Sequence, residues 1–290
     1  MRLLRVGRPG SEIPAVLLED GSLRDASGVT PDYGPGFFAA GGPAALEAAV
    51  RSGGLPPLAE PDRIGAPLAG TGKIVCIARN YPAHAAEVKA ALPTEPVVVL
   101  KAANTLIGPN DDVLIPPGST KTDWEAELGV VIGRTARRLG GPADADAAIA
   151  GYVLCNDVSE REYQQLGVPG AQWDKGKSCD TFFPCGPWLV TPDEIADPQR
   201  LGIRLWVNGE LRQDASTADM LFGVRHLIWY LSRYMTLEPG DIVSTGTPAG
   251  TGMGLKPPVY LAPGDTMRLT IDGLGEARQT CRSIDTLEDS

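Results

Sequence analysis

Two glutamates separated by a single residue define the chemistry open to this chain. In Thr122-Asp123-Trp124-Glu125-Ala126-Glu127-Leu128-Gly129-Val130-Val131-Ile132-Gly133, a period of two places Ala126, Leu128, Val130 and Ile132 on one apolar face. Glu125 and Glu127 then project together from the other face. A helix would spread them around its axis, and the β-branched run with flanking glycines argues for a strand. Neighbouring carboxylates with no basic residue between them repel each other unless solvent or a cation intervenes. A hard divalent ion with oxygen ligands, Mg²⁺, Mn²⁺ or Ca²⁺ as a substitute, would relieve that repulsion. A strand whose polar face is simply hydrated is the alternative.

A second pair is His84 and Glu87, at i and i+3 in Asn80-Tyr81-Pro82-Ala83-His84-Ala85-Ala86-Glu87. Pro82 suits the first turn of a short helix, and Asn80 is the expected cap. The two side chains then share a face. A carboxylate that orients an imidazole makes a general base that works near neutral pH. An exposed helical pair with no function is the competing reading. Asp157 ends the apolar run Ile149 to Asn156 and is either a third metal ligand or the cap of a helix over Ser159-Glu160-Arg161-Glu162. Around Lys177, Gln172 to Asp180 reads either as a close-approach loop or as ordinary surface.

The elements that must position these groups are mostly strands. Lys73 to Ile77 and Pro96 to Lys101 are buried-type strands, and Asn208-Gly209 closes a hairpin. Leu237-Glu238-Pro239-Gly240-Asp241 and Leu261-Ala262-Pro263-Gly264-Asp265 are matching type II turns, each leading into a strand. Met220 to Tyr234 has helical periodicity, with His226 as a packing or surface residue. Gly250, Gly252 and Gly254 form no nucleotide loop, because Lys256-Pro257-Pro258 cannot open the helix that such a loop needs. A pocket of amides and hydroxyls for an anion remains open there. Residues 1–70 form a small β-rich N-terminal domain with a hairpin at Asp20-Gly21, one helix from Ala39 to Val50 and a linker over 53–72. Residues 71–290 form the main domain.

The 290 residues are 43% hydrophobic and 21% charged, with 35 Gly and 26 Pro, which suits a turn-rich globule. A net charge of −10 disfavours nucleic-acid binding. No apolar run reaches membrane-spanning length. The five cysteines show no C-x-x-C pair, so reduced thiols in a cytoplasmic protein are expected.

Taken together, the segments resemble the fumarylacetoacetate hydrolase family. They are Asn80-Tyr81 with His84, Asp123-Trp124-Glu125-Ala126-Glu127, Asn156-Asp157-Val158-Ser159 with Arg161 and Gln164, Gly176-Lys177-Ser178 with Asp180, and Glu238-Pro239-Gly240-Asp241 leading to Thr245-Gly246-Thr247-Pro248. The resemblance spans about residues 70–284. It implies a strand-rich α+β fold, a mixed β-sandwich roll, and a homodimer. It implies Mg²⁺ or Mn²⁺ on Glu125, Glu127 and Asp157, a water-activating dyad of His84 and Glu87, and a pocket lysine at Lys177. Arg161 and Gln164 would line the site, and Thr247 would contact the acid end of a small anionic keto acid. The implied reaction is C–C hydrolysis of a 2,4-diketo acid, with 2,4-diketo-3-deoxy-L-fuconate and L-rhamnonate hydrolases as the nearest subgroup. Decarboxylation or isomerisation of a 2-oxo acid, and non-catalytic keto-acid binding, are the alternatives. Ala78-Arg79 and Cys179 depart from the family pattern at the pocket wall.

Overall fold

In the computed structural model, which describes residues 1–165 and 169–284, the chain opens with antiparallel strands β1 (Arg2–Val6), β2 (Ile13–Leu17) and β3 (Leu23–Asp25). The expected Asp20-Gly21 turn joins β2 to β3, with Leu17 opposite Leu23. The single helix expected from Ala39 to Val50 is instead two, α1 (Pro35–Ala39) and α2 (Gly42–Arg51). Gly41, at a φ of 73°, breaks the path between them. The expected linker adds short strands β4 (Pro57–Leu58) and β5 (Ile64–Gly65), which pair with β3 and β1.

Next come β6 (Ile74–Ala78), α3 (Pro82–Glu87), β7 (Val97–Lys101), β8 (Leu106–Ile107), β9 (Val113–Ile115) and β10 (Thr122–Asp123). The long hairpin β11 (Ala126–Ile132) and β12 (Ile149–Asn156) follows, then β13 (Ser159–Glu160), α4 (Arg161–Gln164) and α5 (Trp173–Lys177). The rest is β14 (Phe183–Pro184), β15 (Leu189–Val190), β16 (Gly202–Val207), β17 (Glu210–Ser216), α6 (Val224–Ser232), β18 (Ile242–Ser244), β19 (Thr266–Ile271) and β20 (Gly275–Ser283). Asn208 and Gly209, at φ 51° and 81°, make the hairpin turn that their types favour. Both Pro-Gly-Asp turns form, with Asp241 N–H donating to Glu238 O and Asp265 N–H to Ala262 O.

Two mixed sheets organise the chain, and neither closes on itself. One has eleven strands in the order β4-β3-β2-β1-β15-β12-β11-β18-β6-β7, with β5 branching from β1. Because β1 pairs with β15, the N-terminal strands continue this sheet. The other runs β17-β16-β19-β20-β9. Ala126, Leu128, Val130 and Ile132 pack with Ile203, Leu205, Leu269, Ile271 and the buried side of α6. The opposite face presents Val131, Val153, Cys155 and Ile242 to Tyr33, Phe37, Phe38 and Leu46. This is the strand-rich α+β sandwich roll. With both faces covered, every residue of β11 is buried, so the hydrated-face alternative for Glu127 is wrong.

Candidate active site

Strand register brings the acidic groups together. In the β11–β12 hairpin Ala126 faces Asn156 and Glu127 faces Cys155. One step beyond, Asp157 N–H donates to Glu125 O at 2.9 Å, which sets Glu125 across from Asp157. Directly opposed residues share a face, and Glu127 lies one pleat along that same face. Carboxylate oxygens of Glu125, Glu127 and Asp157 accordingly lie within 4.8 Å of one another, all buried. Asp157 does not cap a helix. That place is taken by Glu160, whose side chain accepts from Glu162 N–H ahead of α4.

The neighbouring strand finishes the acidic pocket. Ser244 Oγ and Gly246 N–H donate to Glu127 Oε2 at 2.6 and 2.8 Å. Gly246 is at φ 100°, and a Cβ there would fall 2.8 Å from Ile77 O, so close approach requires glycine. Burial, then the charges of Asp157 and Glu125, push Glu127 well above the usual carboxylate range.

Buried cations answer the other carboxylates, Lys177 and Arg161 from the cavity wall. Lys177 Nζ donates to Glu125 Oε2 at 2.9 Å, to Ser159 Oγ at 3.1 Å and to Asp157 Oδ2. An ammonium has three N–H donors, so Lys177 acts on a ligand through its charge unless one of these bonds is given up. Arg161 reaches Glu125 Oε1 at 2.7 Å and Asp123 Oδ2 at 2.9 Å, and meets Gln164 Oε1 at 3.2 Å. Burial opposes the charge on Glu125, but Lys177 and Arg161 outweigh it and hold the carboxyl at about 2. Burial likewise opposes the Lys177 charge, yet Asp157 and Glu125 raise its pKa.

The imidazole pair closes one side. His84 Nδ1 lies 3.1 Å from Glu87 Oε2, and only 7% of His84 is exposed, which removes the surface-pair reading. Glu87 is held in turn by Gly250 N–H at 2.8 Å and Thr251 Oγ1 at 3.2 Å. Although burial raises it, the bonds from His84 and Gly250 leave Glu87 below its ordinary pKa. Pro82 opens α3 as expected, but Tyr81 occupies the cap position. Asn80 instead donates to Thr245 O and Phe222 O and accepts from Phe222 N–H. It ties the start of α3 to the strand that serves Glu127.

A cavity of about 420 Å³ is lined by His84, the three carboxylates, Arg161, Gln164, Lys177 and Thr247, so all nine expected residues except Glu87 border it directly. Thr247 Oγ1 is committed, donating to Ala126 O and accepting from Gln213. Three supporting residues escaped the sequence reading. Asp123 gathers Arg161 and the amides of Gly252 and Met253, and it lies in the same period-two phase as Glu125 and Glu127, a signal that could have found it. Lys101 Nζ sits 2.7 Å from Asp157 Oδ1 and bonds Val158 O. Trp124, fully buried, donates from Nε1 to Gly250 O at 2.9 Å. The donor set of three clustered carboxylates, one disfavoured as an anion, fits a hard divalent cation. Among the described residues it is the group of such ligands that the fold assembles.

Residues 73–282 match the family model described as fumarylacetoacetate (FAA) hydrolase C-terminal. Over 284 residues the chain is 49% identical to a Burkholderia ambifaria protein named "Putative hydrolase", covering 98% of this chain and 99% of the relative. Maleylpyruvate hydrolase from Sphingobium sp. SYK-6, solved with manganese(II) and pyruvate, is 30% identical with a TM-score of 0.79, covering 98% and 99% of the two chains. The 5-carboxymethyl-2-hydroxymuconate delta-isomerase of Mycobacterium smegmatis is 31% identical with a TM-score of 0.75 at the same coverage. With its fold, its acidic cluster and a match over most of its length, the chain belongs to the fumarylacetoacetate hydrolase family of hydrolases and isomerases.

Proposed function

We propose that the protein is a divalent-metal-dependent hydrolase that cleaves a C–C bond in 2,4-diketo acids, releasing pyruvate and a second acid. The observation that carries this reading is the His84–Glu87 pair at 3.1 Å, with His84 bordering the cavity that holds the three carboxylates. Glu125, Glu127 and Asp157 would hold Mg²⁺ or Mn²⁺, and such an ion would supply Lewis-acid polarisation of the 2-oxo acid end. Manganese and pyruvate in the related maleylpyruvate hydrolase support this choice of ion and ligand.

His84, kept in one orientation by Glu87, takes a proton from water as that water attacks the carbonyl carbon farther from the acid. The bond between that carbon and the adjacent methylene breaks, and its electron pair passes to the pyruvate fragment. Lys177 supplies fixed positive charge beside the acidic cluster where this charge develops. Protonation of the fragment gives pyruvate. Arg161 and Gln164 form the adjoining wall, and Thr247 lies at the turn that would face the acid end.

Decarboxylation or isomerisation would use the same carboxylates and Lys177 without activated water, and a keto-acid binder would need none of the dyad. The related isomerase keeps the isomerase reading in view. A panel of 2,4-diketo and 2-oxo acids assayed for pyruvate release, with and without chelator, separates them. Chelator-sensitive release from a diketo acid is expected, and no turnover of any diketo acid with Mg²⁺ or Mn²⁺ rejects the hydrolase. The resemblance also carries a cytoplasmic homodimer. Among the described residues no helix is long and apolar enough to cross a membrane, and sedimentation tests the dimer.

A further inference from the structure

The segment that follows β18 is stitched, step by step, to the strand that carries Glu125 and Glu127. Thr245 N–H and Oγ1 donate to Leu128 O at 3.0 and 2.8 Å. Gly246 N–H donates to Glu127 Oε2 at 2.8 Å, and Thr247 Oγ1 to Ala126 O at 3.0 Å. Farther on, Trp124 Nε1 donates to Gly250 O at 2.9 Å. Asp123 Oδ1 and Oδ2 accept from the Gly252 and Met253 amides at 2.7 and 3.1 Å. As one stretch advances from 245 to 253, the other therefore retreats from 128 to 123. Buried Gln213 clamps the middle. Its Oε1 accepts from Ala126 N–H at 3.0 Å, and its amide nitrogen donates to Thr247 Oγ1 and Pro248 O at 2.8 and 2.9 Å.

The other side of this segment holds Glu87. Gly250 N–H reaches Oε1 at 2.8 Å, and Thr251 Oγ1 reaches Oε2 at 3.2 Å. The backbone has no slack there. A Cβ at Gly250 would fall 1.9 Å from Arg212 O, and one at Gly252 would fall 2.0 Å from Val259 O. Asp123, Trp124 and Thr251 are fully buried, so no water competes for their bonds. Glu87, held below its ordinary pKa, offers only acceptors to the imidazole. His84 Nδ1 therefore carries the proton of that bond, and Nε2 is left as the basic nitrogen.

We infer that residues 246–254 form a positioning strap, through which Asp123 and Trp124 set Glu87 and hence the ring of His84. The strand that supplies two of the clustered carboxylates thereby also fixes the imidazole, and one structural unit places both. Asp123 and Trp124 are positioning residues, acting on the ring through the strap. A misplacement of about 1 Å at a reacting group costs on the order of 10²-fold in rate, which is the scale on which such a strap matters. The inference rests on the reading of His84 as the base only where rates are measured.

NMR of the protein with isotope-labelled histidine reads the ring directly, because the chain has two histidines and His226→Gln assigns the other. Trp124→Phe removes the bond to Gly250 O and keeps an aromatic ring. Its His84 Nδ1–H resonance is expected to shift or broaden. Its kcat on a diketo acid is expected to fall by about 10- to 100-fold, with KM and Mn²⁺ affinity unchanged. Asp123→Asn should move the same resonance and also raise KM, since it frees Arg161. It is the variant measured if Trp124→Phe does not fold. An unmoved His84 resonance would overturn the strap. So would the same displacement in Arg161→Lys, which leaves the Gly252 and Met253 amides on Asp123 and would assign the effect to Arg161. An unmoved resonance with diketo-acid cleavage intact in the wild type removes the strap and leaves the hydrolase. A moved resonance in a protein that cleaves no diketo acid keeps the strap and removes the hydrolase.

Discussion

Nδ1 of His84 and Oε2 of Glu87 lie 3.1 Å apart, and the same glutamate is pinned on its other oxygen by the Gly250 amide at 2.8 Å. The imidazole is thus oriented by a carboxylate that the glycine-rich loop holds still. His84→Ala is expected to lower diketo-acid hydrolysis by about 10²–10⁴-fold. Its Mn²⁺ affinity should match wild type. Full hydrolysis by this variant would remove His84 as the base, whereas retained decarboxylation with lost hydrolysis would favour the decarboxylase.

Gly254 supplies a subtler route to the same pair. A Cβ there would fall 2.0 Å from Glu87 Cδ and 2.2 Å from Cγ. Gly254→Ala therefore has to displace Glu87, and should cost about 10²-fold in kcat with Mn²⁺ binding preserved. Gly36→Ala, with no atom within 4 Å of the new methyl, is the neutral control. Wild-type turnover in Gly254→Ala would show that the glutamate does not set the imidazole.

Cation binding should release a proton. Burial, Asp157 and Glu125 keep Glu127 protonated well above the ordinary carboxylate range, and a cation can use this carboxylate only once the proton has left. The raised pKa gives the sign: affinity climbs as pH rises, and levels off when Glu127 ionises unaided. Titrations of Mn²⁺ in buffers of different ionisation enthalpy should report roughly one proton released. A flat pH profile with no release would place Glu127 outside the ligand set. Glu125→Ala should abolish both binding and activity.

Lys101 anchors the third carboxylate from beneath. Its side chain is fully buried, 2.7 Å from Asp157 Oδ1. Removing one partner of a buried pair strands the other charge, so Lys101→Met should lower the stability of the metal-free protein by about 3 kcal/mol. That is the low end of the usual range, because Lys177 still faces the other oxygen of Asp157. Urea unfolding measures it, and a loss under about 1 kcal/mol, ordinary for an exposed pair, would mean that Lys101 does not hold Asp157.

The residues themselves determined whatever depends on short-range geometry. The pleat of β11 puts Glu125 and Glu127 on one side, the helical turn sets His84 against Glu87, and Asn-Gly and Pro-Gly-Asp select their turns. Ordered motifs far apart in the chain also made the family legible before any coordinates. Tertiary structure decided the rest. Asp157 reads by its own segment as a helix cap, and only the hairpin register sets it opposite Glu125, while Asn80 leaves its helix to bind Thr245 and Phe222. Burial of both sheet faces turned a polar stripe into a cluster needing Lys177, Arg161 and Lys101. Such outcomes depend on which distant strands pair and on how much water their packing excludes, and neither quantity is carried by any local run of residues.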